Sequence, residues 1–210
     1  MFLLALLAGC GRGEDRYAAY LRLRLAEDPT TLDPAFIVDV PGGTISAKIF
    51  NGLVRFDSEG KVAPDLASSW EVSPDGKTYR FRLREGLKFH SGRPVTPADV
   101  VASWRRLLDP ALASPRSWLF RGVKGAEEFR SGKARDVRGF RVEGTEVVVE
   151  LEEPSPVFLS LLAMPGASVV DGVEAERRGR GFADRPSGTG PFRLEEWRRG
   201  EVLFASVRLP

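Results

Sequence analysis

The chain has 210 residues, 42% hydrophobic and 29% charged, enough for one domain or two small ones with a substantial core. Its formal charge of +2 comes from 31 basic and 29 acidic residues spread along the chain, which argues against a nucleic-acid partner. One Cys excludes an internal disulfide, one His excludes a His-rich metal cage, and no apolar run approaches the ~20 residues that span a bilayer.

In chain order, Met1 to Cys10 is an apolar run with the length of a signal-peptide hydrophobic region. Its end, Leu7-Ala8-Gly9-Cys10, resembles the bacterial lipoprotein signal, with cleavage before Cys10 and a lipid on its thiol. Residues 11–20 are then a hydrophilic tether. No Lys or Arg precedes the run, which a start codon assigned too far downstream would explain. The alternative is a frayed apolar terminus with an incidental thiol.

Leu21 to Ala26 alternates apolar and basic residues and predicts a half-buried strand. A short extended piece follows at Phe36 to Val40, then a loop at Pro41-Gly42-Gly43. Thr44 is the expected N-cap of a helix carrying Ile45, Ile49 and Phe50 and ending at Asn51-Gly52. Leu53 to Phe56 predicts a strand. The clearest hairpin joins Trp70–Val72 to Thr78–Leu83 through Ser73-Pro74-Asp75-Gly76-Lys77, where Pro fixes one φ and Gly supplies a positive one. Thr96-Pro97-Ala98-Asp99 is a capping box with Pro at the first helical position. Val100, Val101, Trp104, Leu107 and Leu108 then keep helical spacing as far as Asp109-Pro110. A second hairpin is expected at Phe140–Val142 and Glu146–Leu151, a short helix from Pro156 to Leu162, and a third hairpin at Phe192–Trp197 and Val202–Ser206. The last strand has no evident closing partner. The pattern is mixed α/β, of the hairpin-rich α+β kind.

Catalytic chemistry is not visible. His90 has no second His or Cys beside it and reads as a hydrogen-bonded structural residue rather than a metal ligand or triad member. Gly76-Lys77-Thr78 lacks the first Gly of a phosphate loop, and Gly188-Thr189-Gly190-Pro191 lacks the third Gly of a dinucleotide fingerprint. Glu127-Glu128, Glu152-Glu153 and Glu195-Glu196 are adjacent pairs that cannot converge as an acid/base couple on a regular element. Trp70, Trp104 and Phe158 keep the period of core positions. Trp118 and Phe120 follow Ser114-Pro115 in a stretch without a period, so they are either a wall for a ligand or ordinary loop aromatics.

Three segments in order, Ile49–Val54, Val62–Trp70 and Asp75–Arg84, resemble the oligopeptide/dipeptide-binding family of solute-binding lipoproteins, which deliver substrate to ABC importers. Gly86–Gly92, Thr96–Val100, Lys124–Phe129 and Gly188–Phe192 continue the match in the family's order, so the resemblance covers residues 21–205. It implies a periplasmic-binding-protein-like lobe with an inserted subdomain. Residues 20–44 and 157–210 map to lobe I and 45–156 to the insertion. Family members are longer, so the second lobe is missing from this reading, which is that of an N-terminal fragment; Val207-Arg208-Leu209-Pro210 departs from the family's continuation.

The resemblance also implies a function: a non-enzymatic receptor, without metal or cofactor, that captures an oligopeptide or dipeptide and hands it to ABC permease subunits. It would be a monomer at the periplasmic or extracellular face, tethered through Cys10. The family strand that pairs with the bound peptide falls on Val40, Pro41 and Gly42, with Val40 and Gly42 supplying the amides that Pro41 lacks. An ordinary loop ahead of the Thr44 helix is the alternative there. Alternatives for the whole chain are another solute such as a nickel chelate, a lipoprotein interaction module without transport, or a decayed non-binding fragment.

Overall fold

The computed structural model describes residues 20–23, 27–198 and 201–206; Cys10 and the expected signal and tether lie outside them. Two apolar clusters organise the molecule. The larger is built on a four-stranded antiparallel sheet of β4 (Ala67–Val72), β5 (Thr78–Leu83), β7 (Glu146–Glu150) and β6 (Phe140–Glu143), in that order. The hairpin between β4 and β5 turns where Pro-Asp-Gly stands: Gly76 has φ +70°, its N–H reaches the Ser73 carbonyl at 2.8 Å, and the Lys77 amide donates to the Asp75 carboxylate at 3.1 Å. Alternation then sends Tyr79 and Phe81 inward and leaves Arg80 and Arg82 on the opposite face, where Arg80 pairs with Glu143 at 2.6 Å.

Helix α2 (Pro97–Leu108) covers the inner face of this sheet. The expected capping box is present: the Thr96 hydroxyl accepts from the Asp99 amide, and the Asp99 carboxylate accepts from the Thr96 amide at 2.8 Å. Trp104 packs against Phe120 and Phe140 with ring centroids 5.2 and 5.3 Å away, and its indole N–H donates to the Ala167 carbonyl at 2.9 Å. Phe158 joins this core from α4 (Phe158–Leu162), whereas Trp70 is only half-buried. A separate two-stranded pair, β2 (Val54–Phe56) and β3 (Val62–Pro64), runs beside α4.

The smaller cluster gathers Leu32, Ile45, Ile49, Phe50, Val170, Ala175 and Phe182 between α1 (Val40–Ile49), α5 (Gly172–Arg178) and a three-stranded sheet. That sheet has the order β1 (Tyr20–Leu23), β9 (Glu201–Ser206), β8 (Phe192–Arg198). The last strand therefore does have partners: β9 is central, antiparallel to both neighbours. Its pairing with β1 joins opposite ends of the sequence, which no local pattern announces. The expected boundary between residues 44 and 45 falls inside α1, because Ile45, Ile49 and Phe50 pack in the smaller cluster.

The start of α1 also corrects the sequence reading. Its N-cap is Asp39, not Thr44: Asp39 Oδ1 accepts from the Gly42 amide at 2.6 Å, and Pro41 occupies the first turn, where its missing N–H costs nothing. Val40, Pro41 and Gly42 are thus helical rather than extended or looped. The position takes Gly because it is crowded: a Cβ on Gly42 would lie 2.9 Å from Asp39 Oδ1 and 3.2 Å from the Ile37 side chain.

Candidate functional site

The backbone just ahead of α1 is held from behind. Asp33 caps the Pro34–Phe36 turn, accepting from the Ala35 amide at 3.1 Å, and is clamped by Arg106 through two bonds of 3.0 and 2.6 Å. The Ser114 hydroxyl donates to the Ala35 carbonyl at 2.5 Å, and Arg116 Nε donates to the Ile37 carbonyl at 2.7 Å. On the other side of Val38, the Asp39 carboxylate takes bonds from the Thr30 hydroxyl, the Thr30 amide and the Gly42 amide. Partial burial works against the charge on Asp39, but these hydrogen bonds outweigh it and hold its carboxyl below the ordinary range.

Between these fastenings Val38 is 60% exposed and Val40 82%. Among the described residues the Val38 N–H and C=O have no hydrogen-bond partner. One residue with both groups open, on a backbone fixed on both sides, is able to exchange a pair of hydrogen bonds with an extended chain laid beside it. Of the residues singled out in the sequence, then, Val40 stands at the edge of this stretch. Pro41 turns into the helix, and Gly42 is buried with its amide spent on Asp39. Sequence reasoning misses Val38, since no residue pattern says which main-chain groups are already used.

Trp118 lies on the 3-10 turn Ser117–Phe120 and is 41% exposed, whereas Phe120, on the same turn, is fully buried against Trp104 and Phe140 and walls no ligand site. Trp118 borders a dimple of about 40 Å³ with Leu108, Arg121, Glu127 and Arg130, little more than one water's volume and lined by none of residues 38–42. Two larger hollows flank the smaller core. One, of about 660 Å³, opens beside Phe36 between Arg106, Leu112 and Arg180. The other, of about 680 Å³, lies between His90, Ser187, Arg193 and Trp197. Both have the volume of small-molecule sites. No group of three or more His, Cys, Asp or Glu among the described residues is placed to hold a metal ion.

A second hydrogen-bonded hub ties the two cores together. Asn51 donates to both Asp65 oxygens at 2.9 and 3.0 Å and bonds the Thr189 hydroxyl, and its carbonyl accepts from the Val169 amide at 2.9 Å. Burial pushes the Asp65 carboxyl up despite Asn51 and the nearby Arg55 and Arg84. Asp171, which caps α5, accepts from the Ser91 hydroxyl at 2.6 Å and pairs with Arg93 at 3.1 Å.

Residues 61–207 match the model of bacterial extracellular solute-binding proteins, family 5 Middle. The dipeptide-binding protein DppE of Bacillus subtilis is 32% identical over 84% of this chain and 33% of its own length. The probable deoxycholate-binding periplasmic protein YgiS of Escherichia coli is 36% identical over 85% of this chain and 34% of its own. The crystal structure of Haemophilus influenzae OppA in complex with the peptide RPPGFSPFR superposes with a TM-score of 0.77 at 32% identity, over 82% of this chain and 35% of that one. The chain spans about a third of the length of these proteins.

Proposed function

Since the chain belongs to the bacterial extracellular solute-binding proteins of family 5, a family of binders rather than enzymes, we propose that it contributes one wall of a peptide-binding site serving an ABC importer. The observation that carries this reading is Val38: exposed, unpaired at both main-chain groups among the described residues, and fixed by Arg116 and Asp39. Recognition through the main chain is indifferent to side chains, which suits a receptor for peptides of varied sequence. Val40 beside it offers apolar contact; Pro41 and Gly42 hold the turn behind it. Delivery is to the permease subunits of the importer, and the protein sits at the outer face of the membrane, held by a lipid on Cys10. Replacing Cys10 by Ala is expected to move it from the membrane fraction to the soluble one; unchanged fractionation would refute the anchor.

The test of the wall is an amide-resolved NMR titration of the 210-residue chain with a tri- to pentapeptide mixture. The Val38 and Asp39 amides shift, with an affinity of about millimolar or weaker, ~4 kcal/mol, because one wall cannot offset an association cost of ~4–15 kcal/mol. Shifts confined to other surfaces, or micromolar affinity, would overturn it. A second reading, a bile-acid-like solute, is favoured by the identity with YgiS. Deoxycholate in the same titration would then shift Phe36 and Leu112 in the apolar-edged hollow and leave Val38 unmoved.

A further inference from the structure

We propose that His90 is an acid-operated clip: its neutral ring holds the Gly188–Gly190 strip against the larger core, and a proton from solvent on Nδ1 releases it. His90 follows Phe89, which is buried in the larger core, whereas the strip lies against the end of α1 in the smaller one. Three hydrogen bonds join them. The His90 amide donates to the Gly188 carbonyl at 2.8 Å, the ring Nε2 lies 2.8 Å from the Gly190 carbonyl, and the Gly188 amide points at Nδ1 from 3.4 Å. A carbonyl facing Nε2 and an N–H facing Nδ1 define one tautomer, with the proton on Nε2 and a lone pair on Nδ1. A second proton on Nδ1 would face the Gly188 N–H and find no acceptor.

The strip cannot retreat toward α1 to make room for that proton, so the contact with His90 is what gives. A Cβ on Gly188 would lie 2.2 Å from the Ile49 carbonyl oxygen and one on Gly190 2.5 Å from that of Lys48, so the backbone of the strip is already flush with α1. The Gly190 amide is also bonded to the Ile49 carbonyl at 2.8 Å.

The charges around the ring are mixed. Arg193, Glu195 and Glu196 on β8, Glu174 and Arg178 on α5, and Asp184 and Arg185 on the connecting segment line the same hollow as His90, and Arg93, which pairs with Asp99 and Asp171, follows two residues beyond Ser91. Arg178 is paired with Glu174 and Arg193 with Glu195. Burial is the main influence on the imidazole; together with Arg193 it outweighs the Gly190 carbonyl and lowers the ring's affinity for a proton from the ordinary value of 6.5. The unfolded chain therefore binds the extra proton more readily. The clip is intact above about pH 6.5, weakens as pH falls through the unfolded and then the folded value, and changes no further below it.

The chain's one His gives a single imidazole resonance, so the intact protein reports on itself. We expect its NMR midpoint below 6.5, with loss of hydrogen-exchange protection at the His90 and Gly188 amides over the same pH range, after correction for intrinsic exchange. The melting temperature should fall in parallel. His90→Gln keeps a donor for the Gly190 carbonyl and cannot titrate, so its melting temperature should lose the pH-dependent step that the wild type shows as pH falls below about 6.5. A midpoint at or above 6.5, or protection at Gly188 that persists while the ring titrates, would overturn the clip. Should the Gln variant not fold, the wild-type titration decides alone.

Discussion

The two cores are held by different means. In the larger, Trp104, Phe120 and Phe140 meet one another at centroid distances of 5.2 to 5.4 Å, and no charge is needed to fix their positions. In the smaller, seven apolar residues are set in place by polar fastenings: Asp33 with Arg106, Asp171 with Ser91 and Arg93, and the glycine strip with His90. Apolar packing supplies most of the stability, and directional bonds decide how the smaller core sits on the larger. The exposed Val38 main chain emerges from the second kind of region, where position rather than bulk matters.

Three substitutions test this division, from the largest effect to the smallest. Trp104→Ala empties the centre of the aromatic core and orphans the Ala167 carbonyl, and should cost ~4 kcal/mol by chemical denaturation. A loss under about 1 kcal/mol would show that the larger core does not depend on its aromatic centre. Asp171→Ala leaves the Ser91 hydroxyl without its acceptor, takes away one of the two carboxylates on a partly exposed Arg93, which keeps Asp99, and uncaps α5, at a cost of ~2 kcal/mol after allowance for solvent around Arg93. It should raise hydrogen exchange in α5 while sparing β5 and β7; uniform change across both cores would erase the distinction drawn here. Thr96→Ala removes one side of the capping box and should cost ~1 kcal/mol, confined to the first turn of α2. Thermal denaturation of the Ala variant against Thr96→Ser, which restores the cap, checks it.

The same division explains what could be read in the sequence. Residues that meet within a few positions announce themselves, as Pro74-Asp75-Gly76 and Thr96-Pro97-Ala98-Asp99 do. Helix α1 begins five residues ahead of the N-cap expected at Thr44 because Pro41-Gly42-Gly43 looks like a breaker, although Pro in a first turn is at home there and Gly42 is needed for close approach. The polar fastenings were out of reach altogether: Arg106 meets Asp33, and His90 meets Gly188, only through the fold. The family match was legible from ordered segments, whereas Val38 emerges only from knowing which main-chain groups are already used.

The pairing of β1 with β9 sets a schedule for assembly. Leu23 and Val202 are neighbours in the sheet yet about 180 residues apart along the chain. At a synthesis rate of ~5–20 residues per second, the first strand waits roughly 10–35 s before its partner exists. The aromatic hairpins have every partner well before then. The order of events during biosynthesis is therefore built into the strand order: the four-stranded sheet condenses first, and the three-stranded sheet, with the longest loop to close, comes last.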